Sequence, residues 1–140
     1  MNIPYTITSI QTPQFAVFPT KYTQGVKTDI QIDFGFFVHK ERLDIICLAD
    51  INFYQNKEIV LYTQVKCGFS ITGESATELK ENDKIPADFL RYIATITVGA
   101  ARGIISAKTE NTPLYSEILP PINLVENIKD DIIISKTRDK

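Results

Sequence analysis

The sequence predicts an α+β fold: a four-stranded antiparallel sheet followed by a long helix packed on it. Three observations carry that expectation. Apolar residues recur at every second position in the first half of the chain, and at every third or fourth in the second half. The polar breaks between the early runs, His39–Arg42 and Gln55–Lys57, have hairpin length, and strands joined so tightly run antiparallel. A chain of 140 residues and 15.8 kDa holds one domain of this kind. Its expected parts are a sheet over 1–73, a helical segment over 74–110, an apolar loop with a short C-terminal helix over 111–134, and a tail over 135–140.

The first strand is expected from Tyr5 to Ile10, resuming from Phe15 to Phe18 after Pro13. The second is the clearest: Ile30, Ile32, Phe34, Phe36 and Val38 alternate with Asp29, Gln31, Asp33 and Gly35, the pattern of a strand with one wet face. From Leu43 to Tyr54 the inward set is Ile45, Cys47, Ala49, Ile51 and Phe53. From Ile59 to Thr72 it is Ile59, Leu61, Val65, Cys67, Phe69 and Ile71. With Gln55 and Asn56 at the turn, Cys47 faces Gln64. Cys67 then lies roughly 10 Å further along, at about 3.4 Å per residue, beyond disulfide reach. Both cysteines are expected to be reduced and buried.

After Gly73 the period changes. Glu74 to Lys84 is polar and predicts a short helical turn before Pro86, a residue suited to a first helical position. From Pro86 to Lys108 the apolar positions Phe89, Leu90, Ile93, Ile96, Ala100, Ala101, Ile104 and Ile105 predict a long amphipathic helix. Thr95, Gly99, Gly103 and Ser106 form a stripe of small residues along it. Each interior glycine costs on the order of 1 kcal/mol relative to Ala, and close packing of that stripe would offset the cost. Pro120-Pro121 makes Leu114 to Leu124 an extended apolar loop. Leu124 to Ile134 reads as a packed helix, and Lys136 to Lys140 as a frayed tail.

The composition excludes several functions. Seventeen acidic against fifteen basic residues give a net charge of −2, which argues against a nucleic-acid surface. No apolar run is long enough to cross a bilayer, and the start of the chain shows neither basic nor apolar signal character, so a cytoplasmic location is expected. His39, the single histidine, falls at a hairpin end and reads as a surface turn residue. No phosphate loop occurs, and the carboxylate pairs Asp29/Asp33, Glu78/Glu81 and Asp130/Asp131 read as solvated charge. Neither a catalytic centre nor a metal or cofactor is expected. What stands out is apolar material in wet places: Phe37, Tyr54 and Tyr62 on strand faces, and Leu114, Tyr115, Ile118, Leu119 and Ile122 in the loop. Such patches mark interaction surfaces.

The order of motifs in the second half resembles the SecB family of export chaperones. A strand ending Cys67-Gly68-Phe69-Ser70-Ile71-Thr72-Gly73 precedes a long helix with an Ala101-Arg102 step. Thr112-Pro113-Leu114-Tyr115 then leads to Ile118-Leu119-Pro120-Pro121-Ile122-Asn123-Leu124. The resemblance covers Cys67 to Ile128, and through the strand order nearly the whole chain. It implies a dimer or dimer of dimers with Thr95, Gly99, Gly103 and Ser106 at a helix contact. It also implies ATP-independent binding of unfolded or nascent polypeptides in an apolar groove, with a translocase motor as a further partner. Carried onto this chain, Leu114, Tyr115, Ile118, Leu119 and Ile122 roof that groove, and Phe37, Tyr54 and Tyr62 floor it. Two alternatives stay open: a chaperone dedicated to one partner such as an antitoxin, and a structural oligomer that buries the loop in its own interface.

Overall fold

The computed structural model describes residues 3–137. Four antiparallel strands, β1 (Thr6–Val17), β2 (Asp29–His39), β3 (Asp44–Gln55) and β4 (Glu58–Ser70), form one sheet in the order β1-β4-β3-β2. Helix α1 (Gly73–Asn82) and the short strand β5 (Lys84–Ile85) lead into α2 (Ala87–Thr109), the long helix. Beyond a 3-10 turn at Pro113–Ser116 come α3 (Leu124–Asn127) and β6 (Ile132–Ile133), which pairs with β5. The α+β architecture, with a long helix packed on a four-stranded antiparallel sheet, is the one the sequence predicts.

The core lies between one face of the sheet and α2. Ile45, Cys47, Ala49, Ile51 and Phe53 of β3 and Leu61, Val65, Cys67 and Phe69 of β4 are fully buried there. Leu90, Ile93, Ala94, Ala101 and Ile105 of α2 meet them. Burying a large aliphatic or aromatic side chain contributes about 1.5–3 kcal/mol, so this interface dominates the stability of the domain.

The local differences from the sequence reading each have a physical cause. Strand β1 is continuous through Pro13, because two register shifts, between Ile7 and Ser9 and between Gln11 and Gln14, each add a residue to β1. Pro13 falls in the second bulge, where its missing N–H costs no ladder bond. Opposite the first bulge stands Gly68, where a Cβ would come within 2.6 Å of the Thr8 hydroxyl and 2.7 Å of the Ser9 hydroxyl.

The β3–β4 turn is Asn56-Lys57, both at positive φ (51° and 67°), as a two-residue turn of type I′ requires. Gln55 therefore pairs with Glu58, and a bulge at Val60 shifts the ladder again, so that Cys47 faces Cys67 and not Gln64. The Ile71 N–H donates to the Leu43 carbonyl at 3.2 Å, and counting in twos from that bond places the cysteines in a hydrogen-bonded pair. The two cysteines are thus direct cross-strand partners, not residues separated along the ladder. Both thiols are free and buried.

In the second half, the expected short turn after Gly73 is the full ten-residue helix α1, which buries Ala76 and Leu79 and ends at Asp83 in the left-handed region (φ 55°). Helix α2 starts one residue later than expected: Pro86 is its cap residue, and the Ala87 N–H donates to the Asp131 carboxylate at 2.7 Å. The helix expected over Leu124–Ile134 is only α3, four residues capped by Asn123. The branched side chains of Ile132 and Ile133 favour the extended pairing with Lys84 and Ile85 that follows. Lys136 ends a 3-10 turn closed by the Thr137 N–H on the Ile134 carbonyl, so it is not frayed. The rest of the expected tail, Arg138 to Lys140, lies outside the described residues.

Candidate functional site

The segment from Pro113 to Ile134 lies along one flank of α2 as a strap. Two arginines of the helix hold it by its carbonyls. Arg102 donates from Nε to the Leu119 carbonyl at 2.6 Å and from Nη2 to the Pro120 carbonyl at 3.1 Å. One end of the strap lies nearer the helix N-terminus, where Arg91 donates from Nε to the Ile128 carbonyl at 2.8 Å. Proline nitrogens cannot donate, so the diproline can be gripped only through its carbonyls.

At its start the strap is tied to the loop between β1 and β2, because the Glu117 carboxylate accepts from the Tyr22 hydroxyl at 2.7 Å and from the Thr28 hydroxyl at 3.0 Å. Burial and Glu117 together raise the Tyr22 pKa, so this tyrosine remains a donor. The buried Gln55 fixes the same loop, donating to the Thr23 and Val26 carbonyls and accepting from the Thr23 N–H at 2.8 Å.

Between the strap and α2 runs a cleft of about 610 Å³. Thr95, Val98 and Arg102 form its helix side, and Ile118, Pro121 and Ile122 are on the strap side. Arg102 is the single charged residue of the lining. The residues expected to roof a groove divide here into two sets. Tyr115 and Ile118 are each 61% exposed and Ile122 is half-buried at the cleft. Leu114 and Leu119 are buried in the core, and they pin the strap instead of presenting a surface. Val125, 66% exposed in α3, belongs with the outward set. The sequence reading missed it, and its one signal is an apolar residue in the first turn after the Asn123 cap.

Phe37, Tyr54 and Tyr62, expected as the floor of the groove, stand on the sheet face turned away from α2, with Ile46 and Asn52 as register neighbours. The structure therefore does not bring floor and roof together within one chain: the sheet separates them. Phe37 lies over Gly35, whose ideal Cβ position is 3.8 Å from the ring. The Tyr62 hydroxyl donates to the Asp50 carboxylate at 3.4 Å, and burial followed by the Asp50 charge raises its pKa.

Thr95, Gly99, Gly103 and Ser106 are all exposed on α2, Thr95 at the edge of the cleft, and a Cβ at either glycine would meet nothing within 4 Å. The packing that would offset these glycines is not made within the described residues.

The titratable groups are dispersed. Burial pushes the Cys47 thiol up to about 12, and burial raises Cys67 too, which keeps both protonated and poor nucleophiles at neutral pH. The His39 ring accepts the Arg42 N–H at 3.5 Å inside its turn. A second hollow, of about 1000 Å³ beside α1, mixes Arg42 and Lys80 with Asp44, Glu74 and Glu78, and Arg42 pairs with Asp44 at 3.1 Å. Among the described residues there is no cluster of three potential metal ligands, and no helix is long and apolar enough to cross a membrane. No protein-family model matches this chain, and neither does any curated protein.

Proposed function

We propose that the protein is an ATP-independent chaperone that holds unfolded or partly folded polypeptides in the cleft between α2 and the strap. The observation that carries this reading is an apolar cleft already formed in the folded chain, lined by Ile118, on a strap that also exposes Tyr115 and Val125. Apolar contact is non-directional, so a surface of this kind accepts many sequences. The resemblance to the SecB family supports the same function, and it extends the proposal to delivery of clients to an export motor. Self-association through the outer stripe of α2 is part of this reading, since close packing by a second copy would offset the cost of Gly99 and Gly103.

The test is suppression of aggregation of a chemically denatured model protein, with wild type, Ile118→Asp and Val125→Asp compared at equal oligomer mass. Both positions are exposed, so the substitutions should leave folding intact while weakening client binding by about ten-fold or more, at about 1.5–3 kcal/mol for each apolar side chain a client would bury. Absence of suppression by the wild type at stoichiometric excess overturns the general holdase reading.

A further inference from the structure

We infer that the cleft selects apolar segments that carry a carboxylate, with Arg102 as the residue that recognises it. This deepens the proposed function and rests on it. The guanidinium stands among Val98, Ile118, Pro121 and Ile122, and no carboxylate of the described residues pairs with it. Its partners are the carbonyls of Leu119 and Pro120, reached from Nε and Nη2. Neutral carbonyls orient a guanidinium but leave its charge uncompensated, and a planar guanidinium has five N–H donors. Two of its three nitrogens are held, and Nη1 remains to donate. The other arginine under the strap shows the contrast: Arg91 also holds a carbonyl, of Ile128, but its Nη1 is 2.8 Å from Asp88. Arg102 thus lacks the acid that completes Arg91, and it lines the cleft. An extended segment with apolar side chains for the strap and a carboxylate for Nη1 satisfies both features, and a charge-assisted hydrogen bond is the stronger kind.

The experiment measures binding of fluorescein-labelled peptides by anisotropy to the full chain. Two C-terminally amidated peptides share Leu, Phe and Ile anchors and differ by one Glu or Gln between them; a third has the Gln and a free C-terminal carboxylate. The expected result is about five-fold tighter binding of at least one carboxylate peptide over the amidated Gln peptide, the range of a partly exposed ion pair. Whichever peptide gains identifies the source as a side chain or a chain end. In about 1 M salt, where the Debye length is about 3 Å, that preference should shrink while the amidated Gln peptide keeps its affinity. Arg102→Gln should abolish the preference, and Arg102→Lys, which retains the charge but not the two-carbonyl grip, should keep part of it. Equal binding of all three peptides, or weaker binding of the carboxylate peptides, overturns the inference and leaves the holdase reading standing. No binding of any peptide overturns both.

Discussion

The open face of the sheet and the outer side of the strap both turn apolar side chains towards water, and they do so for different reasons. On the sheet, two of the aromatics have a local purpose: Phe37 covers Gly35, and Tyr62 reaches Asp50. On the strap, Tyr115 and Ile118 are more than half exposed, while their neighbours Leu114 and Leu119 are buried in the core. A wet-face aromatic in a sheet is thus a poor guide to a binding surface, because neighbours on its own strand or the next one give it work. An apolar side chain on a strap has no such neighbours. The pattern there, one residue in and the next out, separates the side chains that hold the strap from those it presents.

The largest effect expected from this contrast lies within the strap. Leu119→Ala should cost about 2–5 kcal/mol of stability, as core truncations do. Ile118→Ala, one residue away, should stay within about 0.5 kcal/mol. Urea denaturation monitored by circular dichroism checks both, and equal costs would erase the division between holding and presented residues.

The next effect concerns the covered face. Cys47 is raised to about 12 by burial, so at alkaline pH the unfolded chain loses a proton that the folded chain keeps. That stability is fully present below about pH 8.5 and lost as pH rises towards the folded value, at up to about 1.4 kcal/mol per pH unit for one thiol. Denaturation midpoints between about pH 8.5 and 10 should therefore fall, and fall less steeply in Cys47→Ala; an identical slope would show that the buried thiol does not govern alkaline stability.

The smallest effect is on the open face, where Asp33 and Asp50 stand directly opposite each other in the β2–β3 ladder. Like charges in that position destabilise, so Asp33→Asn should raise stability by about 0.2–1 kcal/mol, an increase that thermal denaturation at low salt would resolve.

The features that were legible in the sequence are those set by period. Alternation located β2, β3 and β4, and the three-to-four spacing located α2 to within a residue or two at each end. What escaped was set by backbone dihedrals or by distant partners. Asn56-Lys57 takes the turn from Gln55-Asn56 only because both residues accept positive φ, and that single step, with the bulge at Val60, moves Cys67 opposite Cys47. The candidate site was half legible. Tyr115, Ile118 and Ile122 were found by their apolar character in a loop. Leu114 and Leu119 have the same character, and only the fold distinguishes side chains that face the core from those that face water. Arg102 entered as part of a motif, and its task of gripping the Leu119 and Pro120 carbonyls follows from contacts 17 and 18 residues along the chain.

The cap of α2 comes from Asp131, 44 residues beyond the N–H it accepts. Most helices carry their start signal beside their first turn, where it forms as quickly as the helix itself. Here the start of the longest helix is completed by loop closure, whose entropic cost must be met before the bond rewards it. Helix initiation and strap docking become a single event: a chain in which the strap has come away also has an uncapped α2, and the first turn, with Asp88 and Phe89, frays with it. Local opening of the strap is in this way reported about 40 residues earlier in sequence, where amide exchange at the start of α2 can read it.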